Sequence, residues 1–79
     1  MSPTVFRVRG YRFYFFSREE SRPHVHVHHA AGEAKVWLDP AVELALNHGL
    51  TSSQVAMALR LVQEHEHEIR AAWETHFER

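Results

Sequence analysis

Apolar and polar residues alternate along the first 38 positions and then recur every three or four residues over the last 28 or so, so a strand region is followed by a helical one. Segments 4–8 and 11–16 are rich in β-branched and aromatic residues, and Arg9-Gly10 between them suits a tight hairpin. A polar stretch over 17–22 reads as a loop. Pro23 opens a third strand over 23–29, and Ala30-Ala31-Gly32 turns the chain into a fourth over 33–38. Asp39 before Pro40 has the form of a helix start, and Gly49 after Asn47-His48 that of a stop, which predicts a short helix over 40–47. Thr51 and Gln54 make a capping box at the head of a long helix over 52–77. The expected architecture is α+β, one domain over 1–79. A four-stranded antiparallel sheet is packed on one face by a long C-terminal amphipathic helix, with a short helix between.

The two periodicities also assign faces. At 100° per residue Val55, Ala58, Leu59, Val62, Ile69, Trp73 and Phe77 share one side of the long helix and must cover the sheet. Glu66 interrupts that stripe, which asks for a nearby arginine or an overhanging helix, because a buried unpaired carboxylate is costly. His65 and His67 lie about 200° apart, so they cannot grip one metal together and are expected in solvent. On the strands, Phe6, Val8, Phe13, Phe15, Val25, Val27, Ala34, Val36 and Leu38 are expected inward, toward the helix. The opposite side then carries Arg7, Arg9, Arg12, Tyr14, His24, His26, His28, Glu33, Lys35 and Trp37. Strand two is aromatic on both sides, so Tyr11, Phe13 and Phe15 could equally form the outward set.

Composition narrows the setting. A chain of 79 residues has room for one core, and the absence of cysteine leaves no disulfide framework and no thiolate metal site. Together with the lack of any long apolar run, this leads to the expectation of a cytoplasmic protein that does not enter a membrane. The net charge of −1 hides an asymmetry. Six cations face three carboxylates in residues 1–38, whereas seven carboxylates outweigh three cations in 39–79, so an anionic partner would prefer the N-terminal half. Eight histidines make the surface charge sensitive to pH in the range where imidazole titrates.

Three chemistries fit the outward face. Metal-independent RNA cleavage needs a base for the 2′-hydroxyl, an acid for the leaving oxygen and a cation for the phosphorane. His26 and His24 fit the first two roles, in either order, and Lys35 with Arg7 the third. A metal site is the second, since histidines at i and i+2 can aim at one ion and His28 or Glu33 could add a ligand. The third is a non-catalytic module, in which Tyr14 and Trp37 stack bases and Arg7, Arg12 and Lys35 follow phosphates, or the face docks a protein. The first reading needs no cofactor and no metal, and its partner is RNA.

The segments Pro3-Thr4-Val5, Gly10-Tyr11-Arg12-Phe13, Pro23-His24-Val25-His26-Val27, Gly32-Glu33-Ala34-Lys35-Val36-Trp37-Leu38 and Asn47-His48-Gly49, with Trp73 and Phe77, resemble Domain of Unknown Function family 4160. The resemblance covers nearly the whole chain. It implies no reaction, but it does imply a small protein encoded alongside, as in toxin–antitoxin pairs. The family pattern has two prolines before the first histidine and a basic residue after the second valine. Here Arg22 replaces one proline and His28 and His29 follow Val27, which leaves His24 and His26 as the site histidines and adds weight to Lys35 and Trp37.

Overall fold

The computed structural model describes residues 4–15, 22–30 and 32–77. It contains five strands, β1 (Thr4–Val8), β2 (Tyr11–Tyr14), β3 (His24–His29), β4 (Gly32–Trp37) and β5 (Glu43–His48), then two helices, α1 (Ser52–Glu64) and α2 (Glu66–Phe77). The strands form one antiparallel meander in the order β1-β2-β3-β4-β5. The α+β class, the antiparallel sheet and its helical cover are as the sequence implies.

Local chemistry explains the hairpins. Val8 pairs with Tyr11, and both intervening residues have positive φ, Arg9 at 54° and Gly10 at 81°. That is the geometry whose twist matches two paired strands. His29 braces the turn, its ring stacked on Tyr11 at 4.0 Å and its Nδ1 3.1 Å from the Gly10 carbonyl. The β3–β4 turn begins with Ala30 at φ 52°.

Two expectations are corrected. The segment expected as a short helix over 40–47 instead supplies β5, so the sheet has five strands rather than four. A lone helix of eight residues is marginal in water, whereas an extended chain satisfies the backbone along the outer side of β4. The stop signal was real but belongs to a strand end. Asn47 donates from Nδ2 to the Leu50 carbonyl and accepts the Leu50 N–H at Oδ1, while Gly49 takes φ 91°. This turn lies against the start of β4 so closely that a Cβ on Gly32 would come within 2.7 Å of the Gly49 carbonyl carbon.

The long helix over 52–77 is likewise two helices that break at His65. Its start is as expected, with Thr51 and Gln54 exchanging side-chain and backbone hydrogen bonds. His65 is half-buried rather than solvated, 4.5 Å from the Phe6 ring and 2.6 Å from Glu68.

Ala58, Leu61 and Val62 of α1 and Ile69 and Trp73 of α2 close over Tyr11, Phe13, Phe15, Val25, Val27, Val36 and Leu38 in one core. Phe13, Val25, Val27 and Val36 are fully buried, which settles strand two with its odd-numbered aromatics inward. Glu66 has the arginine it asked for. Arg70 donates to Glu66 at 2.8 Å, to Asp39 at 2.9 Å and to the Leu38 carbonyl, tying α2 to the connection between β4 and β5. The hydrogen bond to Glu66, then that to Asp39, raises the Arg70 pKa above its ordinary value. Glu66 is 38% exposed, so it is never the buried lone carboxylate that the stripe alone implied.

Candidate functional site

Strand register assembles the polar side of the sheet in three rows. Arg7, Arg12, His28, Glu33 and His48 form one; Tyr14, His26, Lys35 and Leu46 the next; His24, Trp37 and Glu43 the third. Opposed residues in an antiparallel pair point to the same side, so these rows carry the outward residues of the sequence reading. They also add Glu43, Leu46 and His48, which only the fifth strand could bring.

Outward is not the same as exposed. Tyr14 is 5% accessible, and its hydroxyl donates to Glu33 Oε1 at 3.0 Å. Its ring is stacked on His26 at 5.4 Å and carries the Arg12 guanidinium 4.5 Å from its centroid. Trp37 is half-buried, with Arg22 at 4.0 Å and Lys35 at 4.6 Å from its ring centroid. Cations and aromatic rings thus pack on one another across the middle of the face. A base seeking these rings would have to displace those cations.

His24 departs furthest from expectation. The open position assigned to it is corrected, because it is completely buried. It is the first residue of β3, at the end of the sheet, where Trp73 of α2 comes within 5.1 Å of its ring. Trp37 and His26 present edges at 5.7 and 5.2 Å. Its Nδ1 lies 2.7 Å from the Arg22 carbonyl, and because a carbonyl can only accept, that nitrogen carries a proton. His24 therefore fixes its own ring and supports the edge of its neighbour, His26.

His26 is half-buried and lines an open groove of about 200 Å³ with Glu33, Ala34, Lys35, Leu46 and His48. The groove runs over β3, β4 and β5. His48 and Leu46 are exposed, Leu46 at 50%, and Lys35 and Glu33 stand on β4, the strand between the two histidines, with the Lys35 ammonium over the Trp37 ring. The Cα atoms of His26 and His48 are two strands and two residues apart, roughly 12 Å, from which imidazoles on one side can converge. Arg12 adjoins the groove through Tyr14, whereas Arg7 stands on β1, at the opposite edge of the sheet. Among the described residues no group of three histidine or carboxylate side chains is placed to hold a metal ion. No described helix is long and apolar enough to cross a membrane.

Sequence reasoning missed His48 as a site residue. No alternation announced it, because Leu44-Ala45-Leu46 is uniformly apolar, the bulge at Ala45 turns Leu44 and Leu46 to opposite sides, and helix-like punctuation flanks the segment. Against known families, a model described as a domain of unknown function, DUF4160, matches residues 10–74. No curated protein and no solved structure matches the chain.

Proposed function

Because the chain belongs to the DUF4160 family, whose description names no activity, we propose a function from the groove itself: metal-independent cleavage of RNA by His26 and His48 across Lys35. The observation that carries this reading is that His26, His48 and Lys35 line one open groove. One histidine takes the proton of the 2′-hydroxyl as its oxygen attacks phosphorus. The other gives a proton to the 5′-oxygen as the P–O5′ bond breaks, leaving a 2′,3′-cyclic phosphate and a 5′-hydroxyl. Lys35 offsets the charge of the phosphorane, and Arg12 favours the approach of the polyanion. His24 is a positioning residue in this scheme, since it is enclosed and touches the ring that reacts. The small protein expected to be encoded alongside would restrain such an activity, as in a toxin pair.

A second reading, a non-catalytic module for RNA or a protein neighbour, is favoured by one observation: Leu46 projects at the groove rim, where apolar surface serves docking better than acid–base chemistry. Cleavage of total RNA between pH 6 and 8, with and without EDTA, separates the two. We expect wild type to cleave in EDTA, and His26→Ala and His48→Ala each to lose at least about 100-fold. Wild type that binds RNA without cutting it makes the second reading the correct one, and activity abolished by EDTA overturns the metal-independent step.

A further inference from the structure

The outer side of β5 is paired by no strand among the described residues. Five of its six residues are exposed, and the two large apolar side chains that stand out on the described surface, Leu44 at 37% and Leu46 at 50%, are both on it. An edge of this kind is usually blunted, often by a bulge. β5 has one, but its effect is different. Lys35 opposes Leu46 and Val36 opposes Leu44, so Ala45 is the extra residue. In a regular strand Glu43 and His48, five apart, would point to opposite sides. Here both lie on the polar side, opposite Trp37 and Glu33 respectively, while Leu44 and Asn47 share the other side.

We propose that β5 pairs antiparallel with β5 of a second copy, about a two-fold axis between Ala45 and Leu46, to join two sheets into one of ten strands. In this register Glu43 faces His48 of the second copy, Leu44 faces Asn47, and Ala45 faces Leu46. Glu43 and His48 then meet on the polar side and Leu44 and Asn47 on the other, as cross-strand pairing requires. A slip of one residue sets Glu43 against Asn47 or Leu44 against His48, and the sides no longer agree. The bulge makes the edge self-complementary, and the two-fold repeats the Glu43–His48 pairing, carboxylate against imidazole, at both ends of the contact. A polar neighbour with no such symmetry would use only half of these features. The pairing does not depend on the ribonuclease reading, but it brings a carboxylate of one copy beside a groove histidine of the other.

Sedimentation equilibrium of the full chain tests it first. Wild type should show a concentration-dependent doubling of mass, Glu43→Lys should remain monomeric, and the exchanged pair Glu43→Lys/His48→Glu should dimerise again. The native chain has no cysteine, so a second test fixes the register. Facing Cα atoms lie roughly 4.5–5.5 Å apart, within disulfide reach, whereas positions 43 and 48 of one strand are about 16 Å apart. Mixing Glu43→Cys with His48→Cys under mild oxidation should give a covalent dimer that neither variant forms alone. Wild type that stays monomeric at millimolar concentration overturns the proposal. So does equal cross-linking of either single variant with itself.

Discussion

Both sides of this sheet bury side chains, and they do so by different chemistry. On the helix side Phe13, Val25, Val27 and Val36 are sealed by Val62, Ile69 and their neighbours, and burial there follows from removing apolar surface from water. On the polar side Tyr14 is nearly as inaccessible, yet Arg12, His26 and Glu33 surround it, and each contact has a direction. The first side depends on filled volume and apolar area, without directed bonds. The second depends on hydrogen bonds and ring geometry, so a change of a single atom should register there.

The contrast can be broken at four points. Phe13→Ala should have the largest effect, about 3–5 kcal/mol, because it opens a cavity at the centre of the apolar side. A denaturant midpoint measures it. His24→Ala should follow at about 2–3 kcal/mol, through a lost ring among Trp37, Trp73 and His26 and an unpaired Arg22 carbonyl. If this variant melts with wild type, His24 is not a structural member of the polar side. Tyr14→Phe removes one hydroxyl and leaves the ring, and should cost about 0.5–1.5 kcal/mol. Equal stability would mean that the bond to Glu33 contributes nothing beyond what water supplies. Arg7→Ala, at an exposed position of the outer strand, should stay within about 0.5 kcal/mol by thermal unfolding. A larger loss would extend the polar side's network to β1.

What was legible in the chain was local. Arg9-Gly10 names its own turn, Thr51 with Gln54 names its own cap, and the valines of β3 declare their side by period two. What was not legible depended on partners distant in the chain. Residues 43–48 contain good helix formers, and only the unpaired side of β4 and the Gly32–Gly49 approach decide for a strand. His24 obeys the alternation rule, and Trp73, 49 positions later, overrides the exposure inferred from it. The groove inherits this division. His26 and Lys35 could be read from spacing, while His48 and Leu46 entered with β5.

The meander order has a kinetic meaning. Every strand pairs with its neighbour in the chain, so each hairpin can close before the next is made and no ladder waits on a distant segment. The long-range step is the docking of α2, whose Arg70 must find Asp39 and the Leu38 carbonyl some thirty residues back. We expect the sheet to be formed in the rate-limiting transition state and this arginine contact to form after it. Replacing Arg70 should then accelerate unfolding and leave the refolding rate nearly unchanged.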